Sequence, residues 1–425
     1  MRLIVRKSRL KGTVTIPGSK SHTIRAVAIA SLAKGQSSIR KPLVSSDTQA
    51  VVDCYRALGA RIDTSDSVLW KVIGTAGQIK VPEKTIDVGN SGTTLRIAMG
   101  SAALAKSGET TTLTGDEQIQ SRPVGPLMDA LSNLGARCKS IKNNGKAPLQ
   151  VTGKLTGGKT TIAASTSQYL TSLLLCTPLA AKDTEIDVTL LNEPGYVQMT
   201  LDWLDKQGIE YKHENMRLFK IKGNQSYKAF DITIPADFSS ATFFLCAAAI
   251  VADEVTLLGL DFSDSQPDKA VLDYLKAMGA NISIEANSVK IKATLLKGVE
   301  LDMNKTPDAL PAMAVTAAFA EGTTKLINVP QARAKETDRI RALACELKKM
   351  GASVEELPDG LIIRHSKPIP AELHGWNDHR IVMALSMAGL SLGGQCTIDT
   401  AEAMSVTFPN YVELMRSIGA DMKVE

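Results

Sequence analysis

A sixfold internal repeat is the feature of this 425-residue sequence that most limits the fold it can adopt. Six predicted helices each end in a glycine that precedes a small or apolar residue, and successive glycines lie 68 to 76 residues apart. These glycines are Gly59, Gly135, Gly208, Gly279, Gly351 and Gly419. A glycine between a helical pattern and an alternating apolar pattern is typical of a helix end that leads into a strand. Six copies of one unit therefore account for the whole chain.

A second series of turns lies in the same phase as the glycines. Each turn leads from an Ala- and Leu-rich predicted helix into a predicted strand rich in Thr, Val and Ile. The turns begin at Ala33, Ala105, Ala180, Val251, Ala320 and Leu392. Each unit is therefore predicted to have the order β-α-β-α-β-β, which places the chain in the α/β class with helices packed against sheets. One large irregular α/β domain is the alternative.

The six units are expected to divide into two lobes of three units each, because a single hydrophobic core rarely extends beyond about 250–300 residues. A boundary near Pro235 gives an N-terminal lobe of residues 19–236. A second crossing near Pro17 lets residues 1–18 join residues 237–425, so that the N-terminal strand closes the C-terminal lobe.

Composition and charge argue against several classes of protein. The formal net charge is only +5 and aromatic residues make up 4%, whereas nucleic-acid-binding proteins usually carry a basic stripe or stacking aromatics. The longest wholly apolar run, residues 243–252, is about half of a membrane-spanning helix. The N-terminal segment interleaves charged and apolar residues, so no signal peptide and a cytoplasmic location are expected. The six cysteines are expected to be reduced and mostly buried, and the five histidines form no HxxxH pair, so no metal is expected.

Several polar turns in the N-terminal half each begin a predicted helix. Free backbone N–H groups and the helix dipole favour a phosphate or carboxylate at such a position. Cationic, amide and hydroxyl side chains accompany these turns, and glycine permits close approach of a ligand to the backbone. The candidates are Lys20, Ser21, Arg25, Asn90, Ser91, Gly92, Arg96, Arg122, Thr166, Ser167 and Gln168. The alternative for each turn alone is a capped helix with solvated charges.

The C-terminal half repeats this pattern and adds carboxylates. The candidates there are Asp308, Arg333, Lys335, Glu336, Arg339, Asp378, His379 and Arg380. Singly, each is consistent with a helix cap or a surface charge. Together they predict an anion site, in which an acid among several cations is a candidate for proton transfer.

Seven motifs, in order along the whole chain, closely resemble those of the 5-enolpyruvylshikimate-3-phosphate synthase family. They are PGSKS-x3-R, GNSGT-x2-R, SRP-x-G, TSQY-x-T, PDALP, RAKETDR and NDHR. The resemblance implies two pseudo-threefold, inverse α/β barrel-like lobes with the active site in the cleft between them. It also implies transfer of the enolpyruvyl group of phosphoenolpyruvate to the 5-hydroxyl of shikimate 3-phosphate with release of phosphate, in the shikimate pathway to chorismate and the aromatic amino acids. The implied enzyme is a monomer without a cofactor or metal.

The resemblance also implies a role for individual residues. Those expected to bind shikimate 3-phosphate are Lys20, Ser21, Arg25, Thr166, Ser167, Gln168, Tyr196, Asp308 and Lys335. Those expected to bind phosphoenolpyruvate are Lys20, Asn90, Gly92, Arg122, Gln168, Lys335, Arg339, His379 and Arg380. Asp308 is the candidate base for the hydroxyl proton, and Lys20 and Glu336 are candidates for proton transfer at the methylene carbon. Glyphosate, the inhibitor of the family, is expected to bind beside Gly92.

Three positions depart from the pattern of the family. Glu193 stands where many members have a serine that contacts the shikimate phosphate, Gln331 replaces an asparagine, and Val406 replaces a lysine on the phosphoenolpyruvate side. Two alternative functions are a UDP-sugar enolpyruvyltransferase and a two-lobed binder of anionic solutes. The first carries a reactive cysteine on a loop that corresponds here to residues 108–121, which contain none. The second is normally exported and would need a signal peptide.

Overall fold

Strands and helices alternate along the whole of the computed structural model, which describes residues 1–425. The strands are β1 Leu3–Arg6, β2 Leu10–Thr15, β3 Gln36–Arg40, β4 Arg61–Asp63, β5 Leu69–Ile73, β6 Ile86–Asp87, β7 Thr110–Thr114, β8 Arg137–Ser140, β9 Leu149–Thr152, β10 Gly158–Ala164, β11 Thr184–Leu191, β12 Tyr211–Glu214, β13 Leu218–Ile221, β14 Asp231–Thr233, β15 Ala252–Leu258, β16 Asn281–Glu285, β17 Ser288–Lys292, β18 Glu300–Asp302, β19 Thr323–Ile327, β20 Ser353–Leu357, β21 Gly360–Arg364, β22 Glu372–Leu373, β23 Gln395–Ile398 and β24 Asp421–Val424.

The α-helices are α1 Lys20–Leu32, α2 Ser46–Ala57, α3 Gly92–Ala102, α4 Glu117–Ser121, α5 Gly125–Asn133, α6 Ser167–Cys176, α7 Pro194–Gln207, α8 Phe238–Val251, α9 Ala270–Ala277, α10 Leu310–Ala318, α11 Arg339–Lys349, α12 His379–Gly389 and α13 Tyr411–Ser417. Short 3-10 segments span Thr177–Leu179, Pro267–Lys269, Pro307–Ala309, Pro330–Ala334 and Ala401–Val406.

Six four-stranded sheets share one pattern of strand pairing. In one of them the order is β6-β7-β9-β8, where β6 and β7 are parallel and are connected through α3, and β8 and β9 form an antiparallel hairpin. The other five sheets have the same order of one parallel and two antiparallel pairings, although in three of them one strand comes from a distant part of the chain. The predicted α/β class and the β-α-β-α-β-β unit are therefore confirmed.

Each of the six repeated glycines ends the second helix of one repeat. Their φ angles lie between 67° and 105°, the left-handed region that glycine enters without steric cost. A strand follows two or three residues later in every repeat, for example β4 after Gly59 and β12 after Gly208. The glycine spacing in the sequence thus corresponds to one repeated helix end.

The chain divides into two compact units. The N-terminal unit is Gly18–Ile234, and the C-terminal unit is Met1–Pro17 together with Pro235–Glu425. Each unit contains three of the six sheets. The ends of each chain segment complete the sheets, because β14 pairs with β3 in the N-terminal unit, and β1 and β2 pair with β23 and β15 in the C-terminal unit.

The first helix of each repeat lies in the interior of its unit. In α1 every residue from His22 to Leu32 is buried, and in α8 every residue from Phe238 to Ala249 is buried. The ten-residue apolar run is therefore mostly part of a core helix, and no helix in the structure is long and apolar enough to cross a membrane. Four of the six free cysteines are buried as well.

Candidate active site

Lys20 is the first residue of α1, whose N-terminus is capped by the Ser19 side chain. The Lys20 Nζ donates to Asp47 Oδ2 at 3.0 Å, and both side chains are largely buried. Asp47 lies in the first turn of α2, which packs against α1. Sequence reasoning missed Asp47, because only the packing of the two helices brings it to Lys20.

Arg25 is buried one turn into α1, and the side chains and carbonyls that bind it are all neutral. Its guanidinium donates to the Oγ1 atoms of Thr200 and Thr171 at 3.0 and 3.4 Å, and to the carbonyls of Ser21 and Tyr196 at 3.0 and 2.9 Å. Burial lowers the pKa of Arg25 to about 10, and the nearby Tyr196 only partly offsets this shift. The positive charge is thus held in place without a carboxylate hydrogen-bonded to it.

The N-terminus of α6 carries Thr166 and Ser167, two predicted ligands of the substrate phosphate. In this structure a carboxylate of the protein occupies them. The Glu193 Oε2 accepts from the Ser167 backbone N–H at 3.1 Å, from Ser167 Oγ at 2.7 Å and from Thr166 Oγ1 at 3.3 Å. Glu193 is 1% exposed. The departure at Glu193 therefore places a carboxylate at a helix N-terminus, where a negative charge is stabilised.

Gly92 begins α3 beside two arginines. A Cβ at Gly92 would lie 2.5 Å from Arg96 Nη1 and 2.8 Å from Arg122 Nη1, so the absence of a side chain makes room for both guanidinium groups. Arg96 is buried, and burial is the main reason why its pKa is lowered. Its Nη1 donates to Gln168 Oε1 at 2.7 Å. Two like charges near a helix N-terminus are suited to an anionic ligand.

Asn90 and Gln168 are oriented by neighbouring polar groups. The Asn90 Nδ2 donates to Asp116 Oδ2 at 2.7 Å and also to Gln118. The Gln168 Nε2 donates to Thr93 Oγ1 at 3.1 Å. The fold thus fixes two amides at the starts of α3 and α6.

In the C-terminal unit, Arg339 lies among three carboxylates. Its Nε donates to Asp378 Oδ2 at 2.8 Å, Nη1 to Asp308 Oδ1 at 2.8 Å and Nη2 to Glu336 Oε2 at 2.5 Å. Burial alone would lower the pKa of Arg339, but the charges of Asp378, Glu336 and Asp308 outweigh burial and raise it. Arg339 is 1% exposed, and its contacts in this structure are with the protein's own acids.

Asp308 lies near two further cations. The Lys335 Nζ is 3.9 Å from Asp308 Oδ1, and the Arg380 Nη2 is 3.3 Å from Oδ2. Asp308 belongs to the 3-10 segment that leads into α10, and its side chain is 20% exposed. A partly accessible carboxylate surrounded by cations is suited to accept a proton from a hydroxyl that the same cations hold in place.

Neighbouring elements support these groups. Asp378 caps α12, accepting from the Arg380 N–H at 2.8 Å, and the adjacent His379 is buried at the start of the same helix. Arg333 holds the segment that precedes α11, because its guanidinium bonds Asp338 at 2.7 Å and the carbonyls of residues 357 and 358. These supporting roles depend on contacts between elements that the motifs do not indicate.

The structure groups the predicted residues within each unit. The N-terminal unit holds Lys20, Ser21, Arg25, Asn90, Gly92, Arg122, Thr166, Ser167, Gln168 and Tyr196. The C-terminal unit holds Asp308, Lys335, Glu336, Arg339, His379 and Arg380.

Two other residues depart from the pattern of the family. The Gln331 Nε2 donates to the Asn304 carbonyl at 3.0 Å, and Val406 ends a 3-10 segment.

Comparison with known proteins gives the same assignment along the whole chain. The family model of EPSP synthase (3-phosphoshikimate 1-carboxyvinyltransferase) matches residues 4–415. A 3-phosphoshikimate 1-carboxyvinyltransferase of Acetivibrio thermocellus is 54% identical over 422 residues, covering 99% of both chains. One of Ruminiclostridium cellulolyticum is 53% identical over 424 residues, covering 100% of both.

A solved EPSP synthase from Acinetobacter baumannii covers 100% of both chains with a TM-score of 0.83 and 27% sequence identity. The enolpyruvyl transferase NikO from Streptomyces tendae has the same fold, with a TM-score of 0.77 over 99% of this chain and 98% of its own, at 19% identity. The fold alone thus does not select one reaction, whereas the family model and the two relatives that are more than half identical do. The chain belongs to the EPSP synthase (3-phosphoshikimate 1-carboxyvinyltransferase) family.

Proposed function

We propose that this chain transfers the enolpyruvyl group of phosphoenolpyruvate to the 5-hydroxyl of shikimate 3-phosphate and releases inorganic phosphate. The observation that carries the proposal is the set of buried arginines whose hydrogen bonds go to neutral groups beside helix N-termini, Arg25 at α1 and Arg96 at α3. Buried cations are costly unless an anion is near them. The two anionic substrates of this reaction supply such groups.

Shikimate 3-phosphate is assigned to the residues around α1, α6 and α7. Lys20, Ser21 and Arg25 supply two cations and a hydroxyl on the first turns of α1. The amide of Gln168 and the hydroxyl of Tyr196 are suited to the ring hydroxyls. Thr166 and Ser167 are assigned to the phosphate, which requires Glu193 to give up their hydrogen bonds.

Phosphoenolpyruvate is assigned to Asn90, Gly92 and Arg122 around α3, together with Gln168. The proposal adds four groups from the C-terminal unit, which must act on the same substrates: Lys335, Arg339, His379 and Arg380. A carboxylate and a phosphate on one small molecule need several cationic partners, and arginine can bind either group through two hydrogen bonds.

The chemistry requires three proton transfers in addition to the new bond. A proton is added to the methylene carbon of phosphoenolpyruvate, which makes C2 electrophilic, and Lys20 or Glu336 is assigned to this step. The 5-hydroxyl oxygen attacks C2 while Asp308 takes its proton, which gives a tetrahedral intermediate. Loss of a methyl proton and of phosphate then forms the enol ether. No oxidant or reductant is required.

Phosphate release tests this proposal. The chain is incubated with both substrates, with each substrate alone, and with phosphoenolpyruvate plus UDP-N-acetylglucosamine as an alternative acceptor. We expect phosphate, and an equal amount of enolpyruvyl product by ³¹P NMR, only with shikimate 3-phosphate and phosphoenolpyruvate together. Release with the UDP-sugar would favour the sister reaction, and binding without release would favour a solute-binding protein.

A further inference from the structure

Glu193 places a negative charge where the proposed reaction requires a substrate phosphate. The residue lies between β11 and α7 with φ 59° and ψ 47°, a left-handed conformation that is uncommon outside glycine and asparagine. Its side chain is directed into the unit and is 1% exposed. A charged side chain held in this way needs strong partners, and the α6 N-terminus provides them.

The contacts of Glu193 resemble those of a bound oxyanion. One oxygen, Oε2, accepts from a backbone N–H and two hydroxyls at 2.7 to 3.3 Å. Thr166 occupies the N-cap position of α6 but makes no side-chain capping bond to its own helix. Its hydroxyl donates to Glu193 instead. The helix is thus capped from another part of the chain, by an acid.

Arg25 and Glu193 are connected through the first turn of α7. The Tyr196 N–H donates to the Glu193 carbonyl at 3.1 Å, and the Tyr196 carbonyl accepts from Arg25 Nη2 at 2.9 Å. A single hydrogen-bonded turn therefore joins a buried cation to the acid that occupies the α6 donors. An incoming anion that displaced the acid would bind at the start of α6, one turn before the Thr171 hydroxyl that Arg25 Nη2 contacts at 3.4 Å.

We infer that the Glu193 carboxylate is an internal competitor for the phosphate of shikimate 3-phosphate: it occupies the α6 donors in the free protein, and the substrate phosphate displaces it. The inference rests on the proposed function for the identity of the substrate. It makes Glu193 a residue that sets the affinity for the phosphorylated acceptor. A phosphate carries more charge and more acceptor oxygens than a carboxylate, so the exchange is favourable.

Two variants remove the competitor in different ways. Glu193→Gln keeps the size and one acceptor oxygen for the Ser167 N–H but removes the charge. In Glu193→Asn the side chain is shorter, and asparagine adopts the left-handed backbone conformation more readily. This second variant provides a folded protein for the test if Glu193→Gln is unstable. Glu109→Gln is the matched control, because it removes one negative charge from the same unit beyond the C-terminal end of α3.

Calorimetric titration of each protein with shikimate 3-phosphate, and separately with shikimate, gives the Kd values that test this competition. We expect the Kd for shikimate 3-phosphate to fall about tenfold or more in both Glu193 variants, because a charge-assisted hydrogen bond is roughly twice as strong as a neutral one. The Kd for shikimate and the KM for phosphoenolpyruvate should change by less than about twofold, and Glu109→Gln should match the wild type.

An unchanged or higher Kd for shikimate 3-phosphate in both Glu193 variants would overturn the inference and leave Glu193 as a helix cap. An equal gain for shikimate would also overturn it, because the effect would not depend on the phosphate. If the wild type binds shikimate 3-phosphate without releasing phosphate from phosphoenolpyruvate, the proposed reaction fails, yet the Glu193 comparison stands. If no form of the protein binds it, both fail.

Discussion

Arg25 in the N-terminal unit and Arg339 in the C-terminal unit are buried to nearly the same degree but differ in what surrounds them. Arg25 donates only to hydroxyls and carbonyls, and its pKa is lowered to about 10. Arg339 donates to three carboxylates, and its pKa is raised. The two arginines thus show opposite ways of accommodating a buried cation.

The difference separates two tasks. A cation bonded to neutral groups is destabilising until an external anion reaches it, so its placement favours ligand binding over stability. A cation that neutralises its own carboxylates stabilises the folded unit and orders the acids around it. In the proposed assignment, Arg25 is therefore available to an anion of the substrate, whereas Arg339 holds Asp308 and Glu336, the proposed groups for proton transfer.

Asp308→Asn tests the proposed role of Asp308 as the base and has the largest expected effect. We expect kcat to fall by about 10²–10⁴-fold, because asparagine cannot accept the hydroxyl proton. The Kd for shikimate 3-phosphate should rise much less, since the amide retains an acceptor oxygen for Arg339. Stopped assays of phosphate release and calorimetric titration measure the two quantities. Turnover close to the wild-type value would remove Asp308 from the mechanism and leave Glu336 or Lys20 as the base.

Arg339→Met tests whether the carboxylate cluster depends on its central cation. We expect the free energy of unfolding to fall by about 3–5 kcal/mol, because the substitution leaves buried carboxylates without their main counter-charge. Urea unfolding followed by circular dichroism measures this loss. Arg364→Met, which removes an exposed arginine paired with Glu355, is the control and should change stability by less than about 1 kcal/mol. Equal losses in both variants would contradict the account of the cluster.

Gly92→Ala tests the anion site at α3 and has a smaller expected effect. The new methyl group would lie within 3 Å of nitrogens on Arg96 and Arg122, so both guanidinium groups must move. We expect the inhibition constant for glyphosate to rise by about five- to a hundredfold, the range expected for overpacking, and the KM for phosphoenolpyruvate to rise by a smaller factor. Steady-state kinetics with and without glyphosate give both constants. Gly125→Ala, where a Cβ meets nothing within 4 Å, is the control. Unchanged constants in Gly92→Ala would place the anion elsewhere.

The repeat and the helix N-termini could be predicted from the sequence because both depend on local chemistry. A left-handed helix end requires a glycine or a residue that tolerates the same backbone conformation. The regular spacing of Gly59 and its five counterparts therefore indicates the length of the repeat. The motif of Lys20 and Arg25 similarly lies within the first two turns of a single helix. Such features need no knowledge of distant parts of the chain.

The partners of the predicted residues could not be read from the sequence in the same way. Asp47 reaches Lys20 across the packing of two helices, and Thr200 reaches Arg25 from another repeat. The sequence marks Glu193 only as a departure from the family pattern. Its contact with Ser167 depends on the packing of the segment before α7 against the start of α6. These contacts decide whether a cation is neutralised within the protein, which is the main difference between Arg25 and Arg339.

Arg25→Met tests that difference most directly, through unfolding in urea with and without shikimate 3-phosphate. The native pKa of Arg25 lies below its unfolded value, so its charge costs stability at every pH below about 10, and the cost disappears as the pH rises above that value. Removing the charge should therefore leave the stability of the free protein unchanged or raise it by up to about 3 kcal/mol.

The same substitution should abolish the stabilisation that saturating shikimate 3-phosphate gives the wild type, because ligand binding to the folded state stabilises it only while the site is intact. Stability at or above the wild-type value without ligand, together with loss of the ligand-dependent gain, is the predicted result. A loss of about 3–5 kcal/mol without ligand, comparable to that expected for Arg339→Met, with the gain retained, would contradict the account.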